Sequence, residues 1–417
     1  MGDPLQTLRS VTEHQTEILD SLRPLPPYEQ PLLDALGLVA AADVYSPIAL
    51  PSFDNSAMDG YAVCFDDVAS ATDEHPVHLP VVGEIGAGQA RILAMSPGTA
   101  VKIMTGAPVP AGADAVVPYE WTDRGVAQVV IARAPEEGQH VRSAGEDVTE
   151  GDLLIEDGTV LGPRQLGLLA SVGLATVVVR PRPRVVILST GSELRDPGSP
   201  RGHDSVYDGN SYMLAAAVRR AGAIAYRVGI VPDEPKLFLD ALNDQLVRAD
   251  AVITSGGVSM GDFDVVKEAL SPLGTVWFGG VAMQPGKPQG FGVVGEDATP
   301  IFTLPGNPVS SFISFEMFVL PALRRMMGRL PYTRPTVAAT LTHAVSSPPG
   351  RAQYLRGELS DGPTERQARP MVSPVGGPGS HLVGDLAQAN ALIVVPSETT
   401  SVAAGETVTV VPLEQEF

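Results

Sequence analysis

From residue 184 onward short apolar runs alternate with longer helical ones, and no other feature of the sequence limits the possible folds so sharply. Val185–Ser189, Ala225–Val231, Ala251–Thr254, Phe291–Val294 and Ile301–Leu304 read as buried strands. Tyr212–Ala221, Pro235–Val247, Val265–Leu270 and the apolar Val309–Met327 read as helices. This alternation predicts a mostly parallel sheet with helices on its faces.

The flanks have a different texture. An amphipathic helical pattern (Leu5, Leu8, Val11, Ile18, Leu19, Leu22) opens the chain. Short β-type runs follow at Val77–Val82, Ala100–Met104, Ala115–Pro118 and Ala127–Ala132, separated by Gly and Pro. Gly-Asp turns and a β-rich stretch lead to Arg180-Pro-Arg-Pro183, which reads as a linker. Thr336–Leu341, Leu392–Val395 and Thr407–Val411 predict a last, small β unit.

Composition narrows the class. Among 417 residues, 43 Gly and 38 Pro in scattered groups predict many tight turns. With 44% hydrophobic and 18% charged residues, the chain is expected to build packed cores. A net charge of −20 argues against nucleic acid as a partner, since that affinity comes largely from Lys and Arg on phosphates. No apolar run reaches the ~20 residues of a membrane span, and Asp3, Glu13 and Glu17 argue against a secretory signal. A soluble, cytoplasmic protein is expected. Cys64 is the single cysteine, so no internal disulfide and no cysteine-based metal site is possible. It reads as a packed thiol, and His75 and His78 as solvated loop residues.

The chemistry is expected at the strand ends. Val185–Ser189 runs into Thr190-Gly-Ser-Glu193, Ala225–Val231 into Pro232-Asp233-Glu234, Ala251–Thr254 into a Gly256-Gly257 turn that reaches Asp264, and Ile301–Leu304 into Pro305-Gly-Asn307. In open α/β sheets the carboxyl ends of strands form the ligand crevice. Glu193, Asp233, Asp264 and Asn307 would line it, beside two Gly-rich turns that open helices. Backbone N–H groups there bind anions, and carboxylates hold magnesium against phosphate oxygens. Ordinary turn residues are the plain alternative, less apt for four ends of one unit. Neither a P-loop nor a dinucleotide fingerprint is present.

Further polar groups cluster upstream, in Asp54-Asn-Ser-Ala-Met-Asp-Gly-Tyr61, Met104-Thr-Gly-Ala-Pro108 and Gly145-Glu-Asp147, where Asp59 and Asp147 also read as turn residues. Only four lysines occur, so Lys287, in a Gly/Pro loop, stands out as an oxyanion donor together with Arg356, with Ser380 as an added hydroxyl.

The chain resembles the MoeA family of molybdopterin molybdenumtransferases, which includes the E domain of gephyrin. The resemblance runs over essentially the whole length and rests on Phe53-Asp-Asn-Ser-Ala-Met-Asp-Gly-Tyr-Ala62, Ile103-Met-Thr-Gly-Ala-Pro-Val-Pro110, Arg142-Ser-Ala-Gly-Glu-Asp-Val148, Ser189-Thr-Gly-Ser-Glu-Leu194, Thr254-Ser-Gly-Gly-Val-Ser259, Pro285-Gly-Lys-Pro288 and Leu304-Pro-Gly-Asn-Pro-Val-Ser310. It implies a homodimer of four-domain subunits. The domains would be a discontinuous mixed α/β unit (1–57 and 143–182), an inserted small β domain (58–142), a central three-layer α/β/α domain like MogA with a mostly parallel sheet (183–332), and a C-terminal β domain (333–417).

The implied reaction inserts molybdate into adenylated molybdopterin, with magnesium-dependent release of AMP, as the last step of molybdenum cofactor biosynthesis. Carried over by motif, Asp59, Thr105, Asp147, Glu193, Asp233 and Asp264 are the functional polar residues. Lys287, Ser310, Arg356, Ser380, Gly256, Gly257 and Asn307 would bind oxyanion or phosphates, and Asp264, Asp233 and Glu193 the magnesium. Asp59 and Asp147 are expected on a cleft wall from the second subunit, and the adenylyltransferase that supplies the substrate is a further expected partner. Gln284 stands where many relatives have Lys, and Asp262 where they often have Glu. A MogA-like adenylyltransferase would need only the α/β unit, a gephyrin-type scaffold would make the acidic strand ends dispensable, and a paralogue for tungstate is open because the two oxyanions are near-isosteric.

Overall fold

The computed structural model describes residues 8–88, 94–200, 202–257, 264–361, 369–415 and 417, so Asp262 and the Val258-Ser259 end of the Gly-Gly motif lie outside the described residues. Its central sheet has six strands: β1 (Arg184–Thr190), β2 (Ile224–Val231), β3 (Ala251–Ser255), β4 (Val276–Gly280), β5 (Pro288–Val294) and β6 (Thr299–Leu304). They lie in the order β2-β1-β3-β6-β5-β4. The first four of these are parallel, and β5 and β4 turn antiparallel at the edge. The reversal follows from the connection: only a tight turn joins β5 to β6, and a hairpin can pair only antiparallel strands.

Helices cover both faces, as the alternation predicts. They are α1 (Asn210–Arg220), α2 (Pro235–Leu246), α3 (Val265–Leu270) and α4 (Pro308–Ser314). Successive side chains of β1 go to opposite cores. Val185 and Ile187 pack with Leu214 of α1 and Ile313 of α4, while Val186 and Leu188 pack with Phe238 and Leu242 of α2. Full burial of side chains such as Phe238 contributes ~1.5–3 kcal/mol each.

Beyond α4 the helix continues through a π segment, Phe315–Val319, into Leu320–Met326. Pro321 explains the widened turn, because it has no N–H for the carbonyl of Met317. The side chain of Gln15, from the N-terminal helix Val11–Ser21, donates to that carbonyl instead, at 2.7 Å.

The N-terminal half returns on itself. Tyr28–Pro31 and Val39–Ala40 flank Thr176–Arg180 in one small sheet, and Val44–Tyr45 pairs with Leu153–Ile155. Ala35, Leu161, Leu169 and Val179 form their common core. Between these segments five strands from Gly60 to Ile131 make a separate sheet packed about Tyr61, Val117 and Ile131. At the other end β7 (Val337–Leu341), β8 (Ala352–Ser360), β9 (Met371–Pro374), β10 (Ala391–Val395) and β11 (Thr407–Pro412) form a closed barrel, in the order β8-β9-β7-β11-β10 and back to β8. Among the described residues no helix is long and apolar enough to cross a membrane.

Candidate functional site

The strand order itself locates the crevice. The connections from β1 leave to β2 on one side, and β3 lies on the other, so the loops after β1 and β3 part at this point and open a gap. Two adjoining cavities, of about 390 and 480 Å³, occupy it. Both are lined by Thr190, the last residue of β1, and by Glu193, Gly256 and Gly306, from the loops after β1, β3 and β6. The smaller adds an apolar wall of Leu194, Val206, Met213 and Val383. The larger adds Asp233, Gly257, Pro288 and Asn307.

Glycine is required where these loops converge. Gly256 (φ +92°) and Gly257 (φ +71°) lie in the left-handed region. A Cβ on Gly256 would stand 2.9 Å from the Thr190 carbonyl oxygen, and one on Gly257 2.5 Å from Val266 Cγ2. The backbone here can therefore approach a ligand closely, while the Gly256 N–H itself donates to the Leu304 carbonyl at 3.1 Å.

Each carboxylate of the crevice has a distinct setting. The Asp233 side chain is exposed and accepts from the Ser192 N–H at 2.7 Å, which ties the loop after β2 to the loop after β1. Glu193 is exposed and bends back over Gly191, where a Cβ would lie 2.8 Å from its Oε1. Asp264 is only 5% exposed, caps α3 by accepting from the Lys267 N–H at 3.3 Å, and borders Gly257. Among the described residues no three His, Cys, Asp or Glu side chains gather into a cage for a metal. Glu193 and Asp233 lining one cavity fit magnesium all the same, since that ion is commonly held by one or two carboxylates and completed by ligand phosphates and water.

Of the expected anion binders, Asn307 lines the larger cavity, at the start of the long helix. Lys287 is half-buried beside Gly280, and Gln284, three residues earlier, pairs with Gln353 of β8. Ser310 is buried one turn into α4. Arg356, 4% exposed on β8, gives its Nη1 to the Gly379 carbonyl at 3.0 Å and its Nη2 to that of Gly377. Burial lowers its pKa and the carboxylate of Asp385, 3.8 Å away, raises it. Arg356 thus holds a loop, and the Ser380 carbonyl of that loop accepts the Val309 N–H at 3.1 Å. Lys287, Ser310, Arg356 and Ser380 frame the crevice without lining either cavity.

Asp59, Thr105 and Asp147 belong to a second cluster on the N-terminal half. One carboxylate oxygen of Asp59 accepts both the Thr105 N–H (2.7 Å) and its hydroxyl (2.8 Å), and these bonds hold the Asp59 carboxyl below its ordinary pKa. Asp54 accepts the Ala144 N–H at 2.7 Å, Asn55 and Ser56 pair with Arg142 and Val141, and the N–H of Asp147 goes to Leu50. Three motifs distant in sequence thereby form one surface, with Asp59, Thr105 and Asp147 exposed. This surface shares no described cavity with Glu193.

Sequence reasoning missed Asn210. Its amide donates to Ser255 Oγ at 2.9 Å and to the Gly306 carbonyl at 2.6 Å, clamping the loops after β3 and β6. Asp208, 2% exposed, caps the same helix through Ser211. The signal was the polar Asp208-Gly-Asn210 run at a helix start, where capping residues concentrate.

Comparison with known proteins supplies the family. Residues 9–173 match the MoeA N-terminal region (domain I and II), 186–325 the "Probable molybdopterin binding domain", and 338–413 the MoeA C-terminal region (domain IV). The chain is 47% identical over 404 residues to molybdopterin molybdenumtransferase 2 of Mycobacterium tuberculosis, covering 95% of this chain and 98% of that one. It is 37% identical to the molybdopterin molybdenumtransferase of Haemophilus influenzae, over 91% of this chain and 92% of that one. A crystal structure of the molybdopterin biosynthesis MoeA protein from Pyrococcus horikosii superposes with a TM-score of 0.84 at 31% identity, over 98% of this chain and all of the other.

Proposed function

This chain belongs to the MoeA family and is a molybdopterin molybdenumtransferase of molybdenum cofactor biosynthesis; we propose that it inserts molybdate into adenylated molybdopterin and releases AMP in a magnesium-dependent step. The observation that carries this reading is the convergence of the loops after β1, β2, β3 and β6 on one crevice. Its apolar lobe suits a flat heterocycle, and its glycine-lined lobe suits phosphates.

Gly256 would let the backbone come close to the phosphoanhydride, and main-chain N–H groups of Gly257 and of the start of the long helix at Asn307 would cradle it. Glu193 and Asp233, with Asp264 behind Gly257, would hold magnesium, which when bound neutralises charge on the phosphate oxygens as the anhydride to AMP is cleaved. Lys287 would supply the charge-assisted donor for the molybdate dianion, with Ser310 and Ser380 as hydroxyls. Arg356 acts by fixing the loop that bears Ser380. Gln284 contributes no charge of its own to this task.

Asp59, Thr105 and Asp147 fit this scheme as a wall brought by a second copy, because within one chain they share no cavity with the crevice. The working form would then be a homodimer in the cytoplasm, fed by the adenylyltransferase that makes its substrate.

Anaerobic incubation with adenylated molybdopterin and magnesium, following AMP with and without molybdate, tests the reading. Release that needs both molybdate and magnesium, and is lost in Asp264→Ala, is the expected result. Tight binding without AMP release would overturn it in favour of a scaffold, and formation of the adenylate from ATP in favour of an adenylyltransferase. For the dimer, mixing inactive Asp59→Ala with inactive Asp264→Ala chains should restore part of the activity.

A further inference from the structure

At the amino edge of the central sheet, opposite the crevice, lies a cavity of about 370 Å³ that the proposed reaction does not use. It is bounded by residues just ahead of β1 and β2, by the C-terminal end of the long helix, and by the last residues of the chain. Five guanidinium side chains line it: Arg182, Arg220, Arg324, Arg329 and Arg334. Glu316, Glu414 and the terminal carboxylate of Phe417 are the anions in the same lining, so positive charge exceeds negative by two in a protein whose net charge is −20.

The partners of these arginines leave that excess standing. Among the described residues only Arg334 pairs with a side-chain carboxylate, that of Glu316 at 2.6 Å. Arg324, 3% exposed, donates to the carbonyls of Pro331 (2.6 Å) and Leu330 (3.2 Å) and to a terminal carboxylate oxygen of Phe417 (2.7 Å), and stacks on the Phe417 ring. Burial, with Arg329 and Arg334 adding to it, lowers the Arg324 pKa to about 10. Arg182 and Arg220 likewise donate to carbonyls, of Leu36 and Leu413. Arg182, Arg220 and Arg329 have no carboxylate partner among the described residues, and guanidinium forks match phosphate oxygens in particular.

We propose that this arginine-lined cavity is a binding site for a phosphorylated small molecule, separate from the molybdate crevice. The phosphate lies among Arg182, Arg324 and Arg329, and the ester group extends along Phe417. The volume exceeds that of a bare phosphate and falls in the range of small-ligand pockets. Because the walls come from both the central unit and the C-terminal residues, an occupant ties those parts of the chain together.

Titration calorimetry of the full chain with inorganic phosphate and, separately, glycerol phosphate tests this. Both should bind in the wild type, glycerol phosphate the more tightly if the ester group is recognised, and both should weaken as chloride rises. Arg329→Glu and Arg182→Glu should each weaken binding at least tenfold and leave AMP release unchanged, while Lys287→Ala leaves the calorimetric binding intact. Using two variants guards against one that fails to fold, and melting curves identify it. No binding by the wild type, binding untouched by both reversals, or binding lost with Lys287→Ala would each overturn the proposal.

Discussion

The two edges of the central sheet are built from the same strands and differ in almost everything else. At the carboxyl edge the loops are held by main-chain contacts and short polar clamps, with left-handed glycines where they meet. At the amino edge long side chains close the structure, with a buried Arg334–Glu316 pair and stacked arginines around Phe417. Thin glycine walls leave the crevice open for a ligand to approach the backbone. The opposite edge is closed by long charged side chains that also tie the end of the chain to the central unit. Substitutions at the amino edge should therefore cost stability, and those at the carboxyl edge activity.

The largest effect is expected for Arg334→Ala, which strands Glu316, 3% exposed, without its partner. Breaking a buried pair costs ~3–5 kcal/mol, measurable by urea unfolding, with turnover per folded molecule unchanged. An equal loss of turnover would break the division between the edges.

His14 follows. It is 2% exposed against Trp277 and Phe318, and burial, aided by Arg9, lowers its pKa from 6.5 to about 4. The native state keeps the ring neutral while the unfolded chain takes up a proton, so stability is lost as pH falls from the ordinary value toward the lowered one. The loss amounts to at most about 3 kcal/mol, and His14→Phe should remove that part of the pH dependence in melts.

Gly257→Ala should cost about 1–3 kcal/mol, from its positive φ and the clash with Val266, and should reduce AMP release further than the stability loss explains. Asn210→Ala removes two hydrogen bonds between loops, worth about 1 kcal/mol each. Its expected signature is a raised KM for the adenylated substrate with a small change in melting temperature. The smallest effect is expected for Thr105→Ala, read at the Asp59 carboxylate. That carboxylate is stabilised by Thr105, so its contribution is present above the ordinary carboxylate range and fades as pH falls through the lowered pKa. The Asp59 resonance followed by NMR should titrate below its ordinary position in the wild type and return toward it in Thr105→Ala.

The strands and helices of the central unit were legible because apolar periodicity is a local property. Val265–Leu270 and Ala115–Pro118 have the boundaries that the sequence predicts, and the β1 and α2 limits move by one residue. The strands that escaped notice lack that contrast. β4 ends in two glycines, and β8 interleaves Gln353, Arg356 and Gly357 with its apolar residues while closing a barrel. The helix through Val309–Met327 was legible as one element, but its π segment was not, since it depends on Pro321 and on Gln15 from a remote helix.

The sequence by itself determined the class of each segment, the glycines at the strand ends and the motifs that mark the family, because these rest on local sterics and composition. Which of those motifs face one another was decided by tertiary structure alone. Glu193, Asp233 and Asn307 share a cavity because the strand order opens a gap between β1 and β3. Asp59 and Thr105 stand elsewhere because they flank the strands Gly60–Val63 and Ala100–Ile103, which pair within another sheet. Arg356 presented itself in sequence as a free cation, yet the fold turns it toward the carbonyls of Gly377 and Gly379. Charge and residue type are written along the chain, but the partner of a charge is set by packing across hundreds of residues.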